Sequence, residues 1–314
     1  LHSTSRRQRQ MCIRDRLFTE LKHTFTELAQ RMKNDEMITL AKFLAISGII
    51  LPMLPNENLI PDINLTPYTV WLATVVVSGI SYLSYLLRRY VFHESGILVS
   101  GIIGGLYSST ATISVLARKS RKAPAQEAPE YAAAMLLAVS MMFLRFLILI
   151  GIFSKEILAA IYPYLLIMSL VTAGVAWYLH RKRKQVPATD EEAEEEDSSN
   201  PLEFKVALIF AVLFVIFTIV THYTLLYTGT GGLNVLSFIA GLSDITPFIL
   251  NLLQGSGVAV MVVTACCMQA IVSNIAVNMC YALFFAGGKS PLRRWVLRGF
   301  GGCLLYTSPS PRDL

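Results

Sequence analysis

The chain has 314 residues, of which 54% are hydrophobic and only 15% are charged, and its formal net charge is +6. Ordinary globular domains carry about 25% charged residues, so this composition excludes a typical soluble domain. Apolar runs of about 18 residues or more recur along the sequence, and each is long enough to cross roughly 30 Å of hydrocarbon. We therefore predict a polytopic, all-α membrane protein with no soluble enzyme domain.

The two ends of the sequence differ from the rest, because residues 1–16 and 303–314 are polar and lack hydrophobic periodicity. Both resemble translated sequencing-adapter read-through, so we expect them to be artefacts and the natural chain to continue beyond both ends. They hold six of the 27 basic residues and two of the 21 acidic ones. The net charge without them is only about +2, so the basic pI gives no reason to expect a nucleic-acid partner.

Residues 17–36 have apolar side chains at helical spacing and predict an amphipathic helix at the membrane surface. Residues 181–200 are basic and then acidic, which predicts a solvated, disordered loop. Residues 288–302 resemble the start of a further, truncated span. The fold class is a transmembrane helical bundle of about six full spans, predicted at 37–54, 68–87, 131–153, 158–179, 201–223 and 258–286.

Two further apolar segments, residues 96–117 and 233–254, are interrupted in the middle by glycines and by small polar residues. The Lys and Arg residues in the short loops place both ends of the first segment in the cytoplasm and both ends of the second outside. We therefore expect both segments to be re-entrant, from opposite faces of the membrane. The alternative is that both are Gly-rich spanning helices that pack through small residues.

The re-entrant interpretation divides the chain into two membrane units with one plan, residues 37–153 and 154–287. The sequence GLYSST at 105–110 matches GLSDIT at 241–246, so that Gly105 corresponds to Gly241 and Thr110 to Thr246 at one constant spacing. Inverted repeats with broken helices are the organisation of many secondary transporters. The pattern thus predicts an inverted repeat.

Charged residues inside the apolar segments are the first candidates for a site. Arg145 lies well inside its span, where insertion scales give a cost of roughly 2.5 to 3.5 kcal/mol. Its natural partner is Asp244 in the second interrupted segment; alternatively, Arg145 extends toward the outer surface. Asp244 fits a binding residue or the N-cap of a half-helix, and the two roles are compatible.

Polar residues complete the candidate site. Ser108, Ser109 and Thr110 offer hydroxyl groups at the first break, or small side chains for helix packing. Asn274 and Asn278 share a helix face, and they either bind a solute or hold helices together. The candidate substrate- or ion-binding residues are Ser108, Ser109, Thr110, Arg145, Asp244, Thr246, Asn274 and Asn278.

Signatures of enzymes and of metal sites are missing from the sequence, which has no HExxH, GxSxG or Walker A motif and no CxxC pair. We therefore expect no enzyme activity, no cofactor and no metal. Two functions remain open. One is a transporter-like protein for a small ion or polar solute, and the other is a regulatory or scaffold protein that binds other membrane proteins. Either could form a homo-oligomer.

Four motifs together resemble a known family: GGLYSSTATISVLARKSR (104–121), AAAMLLAVSMMFLRFLIL (132–149), NPLEFKVAL (200–208) and GLSDITP (241–247). They look like the membrane domain of unknown function found in MgtC/SapB-family proteins, and the resemblance covers roughly residues 17–300. It implies a multi-pass protein in the lipid bilayer of the bacterial cytoplasmic (inner) membrane. It also implies that the natural chain carries an amino-terminal MgtC-like domain, to which the link with magnesium homeostasis belongs. It supplies no activity and no residue roles.

Overall fold

The computed structural model describes residues 34–58, 63, 65–91, 96–181, 204–254, 258–287 and 290–307. These residues form nine α-helices and no β-strand, and seven of the helices are long and apolar enough to cross a membrane. The predicted all-α, multi-pass membrane class is thereby confirmed. Residues 17–33 of the predicted amphipathic helix and residues 182–200 of the predicted loop lie outside the described residues.

Most helices follow the predicted spans closely, but the predicted span 201–223 is only the first part of a longer helical run that ends at Gly241. The first helix, α1, is Asn34–Met53. The chain divides into two compact units, Leu1–Ile50 and Leu51–Leu314. All the remaining helices belong to the second unit. They are α2 Pro67–Leu86, α3 Ile97–Lys119, α4 Ala128–Phe153, α5 Lys155–Arg181, α6 Phe204–Gly241, α7 Ile245–Leu253, α8 Val260–Ala286 and α9 Leu292–Thr307. The last helix passes the predicted boundary at residue 302, and Cys303 within it is buried.

The first interrupted segment forms α3, which folds back on itself at Ser108. This residue has extended backbone angles (φ −158°, ψ 109°) inside an otherwise helical run. Residues eight apart in a straight helix are separated by about 12 Å. A Cβ atom added at Gly104 would nevertheless lie 2.5 Å from the Oγ1 atom of Thr112. The arms 97–107 and 109–119 therefore run in opposite directions, and we call them the first hairpin.

The helix α6 also reverses, at Gly229. The backbone of this glycine (φ 64°, ψ −153°) lies in the left-handed region that favours glycine. A Cβ atom added at Gly232 would lie 2.8 Å from the Cγ2 atom of Thr224, eight residues earlier. Residues 204–228 and 230–241 are therefore two antiparallel helices.

The arm 230–241 runs parallel to α8. The thiol of Cys266 lies 3.5 Å from the Oδ1 atom of Asn234, and the side-chain amide of Asn274 donates to the carbonyl oxygen of Gly241 at 3.2 Å. Along both helices, the residue numbers therefore increase in the same direction. The start of this arm therefore lies beside the start of α8.

Helix α7 runs back, parallel to residues 204–228. The rings of Phe217 and Phe248 meet edge to face at 5.7 Å, and Asn251 donates to the hydroxyl of Thr221 at 2.9 Å. Residues 230–241 and α7 are therefore antiparallel arms joined at residues 242–244, and we call them the second hairpin. Both segments predicted to be interrupted are thus broken helices that fold back.

The two hairpins open toward opposite ends of the bundle. The first arm of the first hairpin runs parallel to α4, because Cβ atoms at Gly101 and Gly105 would meet the backbone of Ala134 and Ala138 respectively. The open end of this hairpin lies beside the end of α8, because Arg118 lies 4.5 Å over the ring of Phe285. The second hairpin opens beside the start of α8. The assignment of residues 37–153 and 154–287 as repeat units stays a prediction.

Candidate functional site

A cavity of about 450 Å³ lies where the tips of the two hairpins meet. Its walls come from both tips and from α2, α4, α6 and α8. Seven of the eight residues predicted from the sequence line it, namely Ser108, Ser109, Thr110, Arg145, Asp244, Thr246 and Asn274. Residues from distant parts of the chain are therefore brought to one place, although their role in binding stays a prediction.

Each tip is capped at the start of its second arm. Ser108 accepts a hydrogen bond on its Oγ atom from the amide of Ala111 at 3.3 Å. Asp244 has extended backbone angles (φ −85°, ψ 110°), and its carboxylate accepts from the amide of Thr246 at 3.0 Å. Both residues are N-caps, which satisfy amides that a helix start leaves without a partner. The two caps occupy corresponding positions of the matching sequences GLYSST and GLSDIT.

The end of each first arm is also closed, by a side chain from the helix that runs parallel to it. Arg145 on α4 donates from Nη1 to the carbonyl oxygen of Tyr107 at 3.0 Å. Asn274 on α8 donates to the carbonyl oxygen of Gly241. An unsatisfied backbone group in an apolar environment costs several kcal/mol. These two side chains therefore stabilise the breaks from which the cavity is built.

Glycine allows each first arm to approach its neighbour closely enough for these bonds. A Cβ atom at Gly105 would lie 2.5 Å from the Cα atom of Ala138, and one at Gly241 would lie 2.5 Å from the carbonyl oxygen of Ala270. Small residues at helix interfaces let backbones approach in this way. The glycines at the breaks thus have a packing role.

Among the described residues that line the cavity, Arg145 is the one cation and Asp244 the one anion. The carboxylate of Asp244 is close enough to interact electrostatically with the guanidinium of Arg145. Within the described part of the chain, however, no hydrogen bond or contact ion pair joins the two side chains. The direct hydrogen bond of Arg145 goes to Tyr107, and its predicted pairing with Asp244 stays a prediction.

Residues 75–286, more than half of the chain, match the family described as "Domain of unknown function (DUF4010)". The chain belongs to the DUF4010 family. It is also similar to an uncharacterized protein of Aquifex aeolicus (strain VF5), with 26% identity over 220 residues that cover 68% of this chain and 91% of that protein. No solved structure matches the chain.

The DUF4010 region contains both hairpins and all eight candidate residues. One of these, Asn278, does not line the cavity. It is fully buried and donates to the Oδ1 atom of Asn274 at 3.0 Å. The chain of amides from Asn278 through Asn274 to the carbonyl of Gly241 fits the helix-joining alternative for this pair.

Several cavity residues of the DUF4010 domain were missed by sequence reasoning. Ser78 and Ser81 on α2, Tyr107 at the first tip and Tyr281 on α8 all line the cavity. The two serines are three residues apart and therefore share a helix face, which was one available signal. Tyr281 corresponds to Arg145 at the spacing that relates the two tips, so the repeat also pointed to it.

Proposed function

We propose that this DUF4010 protein is a transporter-like membrane protein for a small ion or polar solute, with its binding site in the cavity between the hairpin tips. The observation that carries the proposal is the meeting of two broken helices, open toward opposite ends of the bundle, at one polar cavity. Backbone breaks inside a membrane are tolerated where they are buried in protein or line a water-filled cavity. Many secondary transporters bind their solutes at such a place.

The arrangement also supports access from either side. The two hairpins approach the cavity from opposite ends of the bundle. Movement of one hairpin away from its parallel helix would open the cavity to one side while the other hairpin kept it closed. Such a movement would break the hydrogen bonds that Arg145 and Asn274 donate to the broken helix ends, and it would part the close packing at Gly105 and Gly241.

We propose no enzymatic activity for the cavity. The hydroxyl of Ser109 lies 3.5 Å from the sulfur of Met142, and the oxygen of Ser108 caps a helix. Among the described residues, neither hydroxyl is oriented by a general base of the kind that activates a nucleophile. The site offers charges, hydroxyls and amides, which suit solute binding.

We further propose the finer assignments of family and place. Four sequence motifs, of which three contain the two hairpin tips and most of α4, support kinship with the membrane domain of MgtC/SapB-family proteins. The distribution of basic residues in the short loops supports a cytoplasmic location for the open end of the first hairpin. The bacterial origin of the similar protein supports a bacterial inner membrane.

A flux assay in proteoliposomes tests the transport proposal. The panel comprises Na⁺, K⁺, Mg²⁺, chloride, phosphate and the twenty L-amino acids, with Arg145→Gln and Asp244→Asn as cavity variants. Arg293→Gln and Glu156→Gln make the same charge changes at exposed positions and serve as controls. We expect at least one flux that falls tenfold or more in the cavity variants and is unchanged in the controls. If folded cavity variants leave every flux unchanged, the scaffold alternative gains, and it predicts a stoichiometric protein partner in pull-downs.

A further inference from the structure

The charges in the cavity restrict what it can bind. Arg145 from α4 and Asp244 from the second tip lie on its walls, close enough to interact but without direct contact. An anion beside them would be attracted by Arg145 and repelled by Asp244, and a cation would experience the reverse. A solute that carries both charges would be attracted by both residues. A fixed pair of opposite charges therefore favours a zwitterion over either simple ion.

The guanidinium of Arg145 retains capacity for a carboxylate. It has five N–H donors, and its single hydrogen bond within the described part of the chain goes from Nη1 to Tyr107. The Nε atom has no partner among the described residues. Planar Arg groups bind carboxylates with two parallel hydrogen bonds. Arg145 is thus suited to a carboxylate ligand.

The carboxylate of Asp244 retains capacity for an ammonium group. One of its oxygens accepts from the amide of Thr246. An ionised carboxylate has about four acceptor sites, so the cap leaves further lone pairs for a cation. The side chain is exposed to the cavity rather than buried in packing.

Part of the remaining wall is apolar, and the space is small. Val77, Phe146, Ile209 and Phe210 line the cavity beside the charged residues. A volume of about 450 Å³ lies near the lower end of the range for small-molecule pockets, roughly 300 to 1,000 Å³. This space suits a compact solute with a short apolar group.

We propose that the solute is a small zwitterion of the amino-acid type, with its carboxylate at Arg145 and its ammonium group at Asp244. The apolar wall would contact its side chain. This inference rests on the proposed transport function of the same cavity and names the solute class.

Binding measurements on the purified full chain in lipid nanodiscs test the proposal. The twenty L-amino acids are screened by thermal shift, and hits are measured by radioligand binding. The strongest ligand is then compared with its two single-group analogues; for L-alanine these are propionate, which lacks the ammonium group, and ethylamine, which lacks the carboxylate. We expect at least one amino acid to bind and each analogue to bind tenfold or more weakly. The proposal is overturned if none of the twenty binds, or if one analogue binds as well as the amino acid.

The variant Asp244→Asn gives a readout that does not depend on loss of folding, because Asn is an N-cap of similar strength to Asp. We expect the preference for the amino acid over the analogue without ammonium to fall from at least tenfold toward unity. Glu156→Gln should leave that preference unchanged. If no amino acid binds but a flux of an inorganic ion requires Arg145 and Asp244, the zwitterion assignment fails and the transport function stands. If no flux and no binding depends on these residues, both fail.

Discussion

The Nη1 atom of Arg145 donates a hydrogen bond at 3.0 Å to the carbonyl oxygen of Tyr107, from the neighbouring helix α3. The cation thus lies at the carboxyl end of a broken helix, where the helix dipole favours positive charge. The same bond holds α3 against α4 at the edge of the cavity. One residue therefore links the stability of the first hairpin to the charge of the proposed site.

Replacement of Arg145 tests this link. Arg145→Ala leaves the Tyr107 carbonyl without its partner, and we expect the free energy of unfolding to fall by about 1 to 3 kcal/mol. Arg145→Lys keeps a cationic donor and should lose less. Denaturation in detergent micelles measures both, and Arg293→Ala at an exposed position should stay within about 0.5 kcal/mol of the parent. Equal losses for Lys and Ala would argue against the capping role.

Two substitutions of Asp244 separate the effect of its charge from the effect of its helix cap. Asp244→Asn should change the free energy of unfolding by only a few tenths of a kcal/mol, while Asp244→Ala should reduce it by about 1 kcal/mol, because only alanine lacks a cap oxygen. Solute flux should fall in both variants, since both lose the carboxylate. Thermal denaturation and flux on the same preparations distinguish the two roles. A flux that Asp244→Asn leaves intact would show that the charge is not needed.

The two amides on α8 should act as one unit. Asn278 donates to Asn274, and Asn274 donates to the carbonyl of Gly241. We expect the double variant Asn274→Ala/Asn278→Ala to cost less stability than the sum of the single variants, with a coupling of about 0.5 to 3 kcal/mol. A double-mutant cycle on unfolding measures it. Strictly additive losses would mean that the bond between the amides contributes nothing.

A substitution that adds one methyl group tests the close packing of the first hairpin against α4. Gly105→Ala would place a Cβ atom 2.5 Å from the Cα atom of Ala138, and overpacking of this kind costs about 1 to 3 kcal/mol. Gly174→Ala is the matched control, because a Cβ atom there has no neighbour within 4 Å. It should be neutral or stabilise helix α5 by up to about 1 kcal/mol. The prediction fails if both changes have the same effect in thermal denaturation.

The sequence located the breaks because their cause is local. A Gly-Leu pair followed by a capping residue marks each tip, and one constant spacing relates Ser108 to Asp244 and Thr110 to Thr246. The rarity of charge inside apolar spans likewise identified Arg145. These signals depend on residue type and spacing, which the sequence contains in full.

Sequence reasoning could not identify the hydrogen-bond partners of the candidate residues. Arg145 bonds to a backbone carbonyl, and every residue has one, so no pattern distinguishes Tyr107. Asn278 shares a helix face with Asn274 but lies deeper, and only the packing of α8 against the second hairpin shows which amide reaches the cavity. Contacts between distant helices depend on how the arms fold back, which helical periodicity alone does not determine.

Cysteine accessibility in intact cells tests most directly the claim that two hairpins open toward opposite faces. Single cysteines at Gly96 and Arg118 mark the ends of the first hairpin, and single cysteines at Gly231 and Gln254 mark those of the second, all on a cysteine-free background. We predict that a membrane-impermeant maleimide labels the second pair and leaves the first pair unlabelled until the cells are opened. Labelling of Gly96 and Arg118 from opposite faces would show that α3 spans the membrane, and would contradict the account.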